Sequence, residues 1–246
     1  MNLAKHLPAT AARAVAVRAS LLALVLPGAA LAQHSVDYQV AGFSADGAAA
    51  AVITFSDGDL DEVAWAEAVL LDTATGAARE PPLRETFQHG SNPALAAIPL
   101  DGRPAEAVRR ARAAVAKRLE KRAPGPWLPG LKLAVAADGS AKLGARDAGR
   151  IRVVTRRGKL AEDDLEPAPL WLNLAWSPPG GGAAVRLFDS GSWKRAAQVD
   201  SYSIVEARTL GNALLVLLRI VRPGHEGVKS REILACAARL PAPLQD

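Results

Sequence analysis

The chain has 246 residues, half of them hydrophobic, with a formal net charge of +5 at pH 7. A single cysteine, Cys236, excludes an internal disulfide. Once the basic residues of the N-terminal segment are set aside the charge is close to neutral, so composition gives nucleic-acid binding no support.

Residues 1–32 have the order of a secretory signal. Lys5, Arg13 and Arg18 are basic, and no acid occurs before Asp37. The apolar run Leu21–Leu26 is broken by Pro27-Gly28, and Ala30-Leu31-Ala32 supplies small residues where a signal peptidase reads. The run is far shorter than the ~20 residues that cross a bilayer. Cleavage is expected after Ala32, with the mature chain starting at Gln33 in the periplasm or outside the cell. No cysteine stands near the cleavage site to carry a lipid anchor. Residues 33–246 are long enough for a single β-rich domain, divisible into lobes 33–100 and 128–246 around a helix at 104–122.

Short apolar runs separated by turn residues follow. Tyr38–Phe43, Ala49–Phe55 and Ala64–Leu71 read as strands. Ser44-Ala45-Asp46-Gly47 and Asp72-Thr73-Ala74-Thr75-Gly76 read as the turns between and after them. Pro81-Pro82 and Phe87–Pro93 read as loop. Pro104–Arg122 reads as the one long helix, with Asp101 as cap, Pro104 in the first turn and basic residues at the end. Val108, Ala111, Val115 and Leu119 fall on one stripe. Arg110, Lys117 and Lys121 line up on another side, an arrangement that suits an anionic lipid or polysaccharide surface and equally a solvated helix face.

Beyond Pro124-Gly125-Pro126 the β pattern returns. Leu131–Ala136, Ala141–Leu143, Ile151–Thr155, Trp171–Trp176 and Ala183–Phe188 are expected strands, and Arg156-Arg157-Gly158-Lys159 a basic turn. The end reads as three strands, Tyr202–Ala207, Ala213–Val221 and Arg231–Leu240. Consecutive apolar residues in Leu214–Leu218 predict a strand covered on both faces. The expected fold is therefore mainly β, with antiparallel meanders in sandwich-like or partly propeller-like lobes and one long helix.

Phe43-Ser44-Ala45-Asp46-Gly47 resembles the strand-to-turn signature of Tol-B-like and WD40-like propeller blades, and Leu71–Gly76 resembles a blade closure. Only one such unit occurs, where a propeller needs several at a period of ~40–45 residues, so a simple hairpin accounts for it. The leader, Gly42–Gly47, Glu67–Asp72, the basic helix and Gly224-His225-Glu226-Gly227 together resemble the bacterial "predicted secreted protein" family, a domain of unknown function numbered 2259. The resemblance implies a compartment and no catalytic residues. Two segments depart from the family's pattern: Ser56–Glu62 replaces an acidic-aromatic stretch, and His225 stands where an aromatic is usual.

Familiar catalytic motifs are missing: no G-x-S-x-G elbow, no H-E-x-x-H helix, no phosphate loop. His34, His89 and His225 share no metal-ligand spacing. Ser190-Gly191-Ser192 has no local partner for a triad. Cys236, within Ile233–Ala237, reads as a buried thiol. Asp57, Asp59 and Asp61 alternate through Gly58, as calcium ligands do, but lack the distal glutamate that closes such a loop. A solvated hairpin tip explains them as well. No cofactor is expected. Two readings follow: a non-enzymatic envelope protein that binds an unidentified protein or ligand, or a periplasmic hydrolase or metal-dependent enzyme using Asp57, Asp59, Asp61 and His225.

Overall fold

The computed structural model of the chain describes residues 36–58, 63–90, 92–157, 170–189, 199–223 and 229–244. The fold is mainly β and antiparallel, with one α-helix.

The first sheet is a meander of β1 (Asp37–Phe43), β2 (Ala49–Ser56), β3 (Val63–Asp72) and β4 (Leu83–Gln88), in that order. Its turns form as their residues dictate. Asp46 Oδ1 accepts from Ala48 N, and Asp72 Oδ1 accepts from the N–H groups of Ala74 and Thr75. Phe87, expected in a loop, belongs to β4; its ring packs under the helix, and that burial extends the strand past the point where its polar neighbours suggest an end.

The helix α1 spans Arg103–Arg122, with Pro104 in its first turn. Its cap is Gly102, not Asp101, because a 3-10 turn over Leu100–Gly102 leads directly into it and takes Asp101 up. Ala107, Ala111, Val115 and Leu119 are its buried residues. Val108, expected on the core stripe, is only half-buried and packs to one side near Leu95.

The chain then builds two sheets at once. β5 (Leu131–Lys132) pairs with β11 (Ser201–Leu210), while β6 (Ala134–Val135) pairs with β7 (Ser140–Leu143). The single strand expected over Leu131–Ala136 therefore divides between two sheets. β7, β8 (Arg146–Arg157), β9 (Leu170–Ser177) and β10 (Val185–Asp189) continue the β6 sheet in the order β10-β9-β8-β7-β6. β8 runs well N-terminal of the expected Ile151 and takes in Arg156 and Arg157, which the sequence suggested were a turn. β12 (Ala213–Pro223) and β13 (Lys229–Arg239) complete the other sheet as β13-β12-β11-β5.

That last sheet is the centre of the stack. Leu214, Val216 and Leu218 share a cluster with Ile151, Leu172, Leu174 and Trp176 of the β6–β10 sheet. Ala213, Leu215 and Leu217 point the other way and share a cluster with Phe43, Ala50, Val52 and Leu71 of the first sheet. The opposite face of the first sheet carries Ala51, Ile53, Ala66 and Ala68 against Ala111, Val115 and Leu119 of α1. The layers thus run helix, first sheet, central sheet, third sheet. Alternating side chains of one strand feed both neighbouring layers, as consecutive apolar residues require.

Candidate functional site

The division of residues 131–135 creates the feature that stands out. Leu133 N donates to Ala207 O, the last link holding this segment to β11. The chain then crosses to the third sheet, turns through Ala137-Asp138-Gly139 and returns as β7. Gly139 has φ +85, and a Cβ there would lie 2.1 Å from Ile151 O, so the turn can seat against β8 only with glycine. Ile151 N closes the contact by donating to Gly139 O at 2.8 Å.

Two strand edges have no partner among the described residues where the segment crosses. Among the described residues, β8 beyond Ile151 pairs only with β9, and β11 before Ala207 pairs only with β12. The Ile151 N–H points toward the β7 side. Strand alternation aims the N–H and C=O groups of Val153 and Thr155 the same way, into the open edge. A cleft of about 530 Å³ lies between the two edges, lined by residues 135–139, 150–154 and 202–204. A bulge between Ile204 and Glu206 bends β11 beside it.

The chemistry of the cleft is mixed. Val153, Tyr202 and Ile204 pack on the core and give an apolar floor. Burial pushes the Tyr202 phenol above its usual range, the nearby Arg222 charge pulls it down and Glu232 raises it further. At the rim, Asp138 pairs with Arg150 at 2.9 Å. Its carboxyl is held below the usual range, first by the backbone and hydroxyl hydrogen bonds from Ser140 and then by the Arg150 charge. Arg152 is exposed beside the pair and makes no ion pair among the described residues. Val154, on the same outer face, is 59% exposed. The arrangement offers backbone donors and acceptors, an apolar floor and a cationic rim.

The residues singled out by sequence lie elsewhere. Asp57 follows β2 in the first sheet, and Asp59 and Asp61 lie outside the described residues. His89, which no sequence pattern connected with them, is buried at the end of β4 and its Nε2 lies 3.0 Å from Asp57 O. That contact pins the start of the acidic loop through its backbone. His34, His225 and Ser190-Gly191-Ser192 also lie outside the described residues. No three His, Cys, Asp or Glu side chains gather to hold a metal ion among the described residues.

On the helix, the three expected cations part company. Arg110 is engaged by Glu106 at 2.8 Å and lies over the Phe87 ring, whereas Lys117 and Lys121 are exposed. Cys236 is fully buried in the central sheet, and burial pushes its thiol up to about 12, so it stays protonated at neutral pH. A half-buried polar contact ties the first and central sheets: Tyr38 Oη donates to Glu206 Oε2 at 3.0 Å, and Arg208 donates to the same carboxylate. Burial is the main cause that raises the Tyr38 phenol, with Glu206 adding to it.

No family model matches the chain, and neither a curated protein nor a solved structure does. No described helix is long and apolar enough to cross a membrane.

Proposed function

We propose that this is a non-enzymatic binding module of the bacterial envelope, periplasmic or secreted, and that it takes its partner in the cleft between β8 and β11. The leader at residues 1–32 supports the compartment, and so does the resemblance to the predicted secreted protein family, which is part of the same proposal. The observation that carries the binding role is the pair of open strand edges over an apolar floor. A strand edge without a partner, as these two are among the described residues, is a template for a further strand.

Two measurements test the proposal. The protein released from the periplasm should begin at Gln33; an intact Met1 on that material would sink the envelope assignment. A photo-crosslinking residue placed at Ser203, in the cleft, should capture a discrete partner in living cells, while the same group at Lys117 on α1 should not. Capture from Lys117 alone would move the function to the basic helix face, and capture from neither would remove the binding role.

A further inference from the structure

Resting on that reading of the cleft, we infer that its occupant is an extended acidic segment of another protein, which adds to the free edge of β8 as one more strand. Among the described residues, no strand pairs with β8 on its β7 side from Arg152 to Arg157. Six residues is an ordinary strand length, about 20 Å. The N–H and C=O groups of Val153 and Thr155 offer the incoming backbone its ladder, without any rearrangement of the β8–β9 pairing.

A strand laid there sends its side chains alternately to two environments. One set drops into the 530 Å³ cleft against Val153, Tyr202 and Ile204, which suits apolar side chains. The other set lies outward beside Arg152 and Val154. Charge selects the second set. β8 contains Arg146, Arg150, Arg152, Arg156 and Arg157 against the single acid Asp147. Asp138 engages Arg150, but nothing described engages Arg152. Glutamate or aspartate at the outward positions meets Arg152 directly, as opposite charges do across a strand pair.

The same charge argues against a second copy of this chain. Two β8 edges paired together would set arginines against arginines, and like charges directly opposite are destabilising. Edge arginines therefore repel the chain's own copy and admit an acidic partner.

The probe is a fluorescein-labelled peptide of about eight residues alternating valine and glutamate, a typical strand length, read by anisotropy against the mature protein. It should bind. Its lysine counterpart, and a version N-methylated at every second amide, should not. Arg152→Glu should weaken binding by about tenfold or more, a loss of about 1.4 kcal/mol per decade. Lys117→Glu should leave binding unchanged. Thr155→Pro removes one outward N–H without touching the β9 ladder and should abolish binding with the circular dichroism spectrum intact. Equal binding of the lysine or N-methylated peptide would overturn the proposal, independently of how any variant folds. Self-association that Thr155→Pro abolishes would assign the edge to a second copy and overturn it too. If crosslinking from Ser203 persists unchanged in Thr155→Pro, the cleft remains the binding site and strand addition falls; if crosslinking is absent from the unaltered chain, the cleft reading itself falls.

Discussion

The first and third sheets both pack one face on the central sheet, yet they treat the other face in opposite ways. The first sheet turns Ala64, Ala66 and Ala68 of β3 outward, all fully buried under α1. The third sheet turns out Arg152 and Val154 of β8, in register with Ala175 and Asn173 of β9. Small side chains on β3 meet Ala107 and Ala111 of the helix, so backbone can approach backbone closely. Arg152 and Val154, described on the third sheet's outer face, do not offer that fit. An antiparallel sheet accepts a second cover only where its alternation supplies an apolar row. Among the described residues the first sheet is therefore covered on both faces, and the third sheet on one.

The sheet that both share should show the largest effects. Leu215 and Leu217 face the first sheet, Leu214 and Leu218 the third, and all are fully buried. Truncating a buried leucine to alanine costs about 2–5 kcal/mol through lost transfer energy and the cavity left behind. Against a total of about 5–15 kcal/mol, each change should lower the urea midpoint strongly. Leu215→Ala and Leu218→Ala should do so comparably. A loss confined to one of the two would mean that one neighbouring layer is loosely attached.

Overpacking sharpens the contrast between the outer faces. Ala66→Leu forces a larger side chain into the seam beneath α1 and should cost about 1–3 kcal/mol. Ala175→Leu puts the same side chain on the half-open face of the third sheet and should cost much less. Equal midpoints for the two variants would break the comparison, because they would show the α1 seam to be as loose as the open face.

Much of this scaffold was legible in the sequence, and the reasons are local. Five consecutive apolar residues in Leu214–Leu218 fit a strand only if both faces are covered. Pro104, Glu106 and the terminal basic cluster mark α1 within a residue of its observed start. The alanine row of β3 was a usable signal for a close-packed helix, because Ala64, Ala66 and Ala68 repeat at period two. The cleft was not legible. β5 and β6 are two residues each, too short to show a period, and their partners β11 and β7 lie at very different distances along the chain. The first half of β8 is hidden by Gly149, which is there because a Cβ would lie 2.2 Å from Ser177 O. An open edge depends on which strand fails to sit beside another, and no single strand's pattern contains that. The acidic run at Asp57 is visible in composition alone, while Arg152, Tyr202 and Ser203 come together only by folding.

A smaller effect belongs to the middle of β3 in the first sheet. Glu67 on β3 stands opposite Arg84 of β4, whose guanidinium lies 5.1 Å from the Trp65 ring centroid. Burial raises the Glu67 carboxyl above its usual range, and the Arg84 charge offsets this only in part. A carboxyl with a raised value in the folded state binds its proton more tightly there than in the unfolded chain. Protonation therefore favours folding, and the ionised form at neutral pH disfavours it. Glu67→Gln is expected to raise the unfolding midpoint slightly at pH 7, with the gain fading as pH falls through the raised value. A variant less stable at pH 7 would mean that the Arg84 contact outweighs burial.

The smallest expected change tests the geometry on which the cleft depends. Val153 and Val154 are neighbours on β8, but Val153 packs against the core cluster and Val154 is 59% exposed. Replacing either with threonine keeps the branched shape and the strand preference and adds one hydroxyl. On the outer face that hydroxyl meets water, so Val154→Thr should move stability by less than about 0.5 kcal/mol. On the inner face it meets the apolar floor, and Val153→Thr should cost about 1–3 kcal/mol, nearer the lower end because the site is half-buried. A slip of one residue in the β8–β9 register would exchange the two faces and reverse the order of the variants. It would also pair the edge amides differently, since residues whose side chains alternate also alternate in the direction of their N–H groups. Thermal unfolding of the two variants thus reads the parity of β8 directly: the expected order keeps Val153 and Thr155 aimed into the open edge, and the reverse order would take away the ladder that an added strand needs.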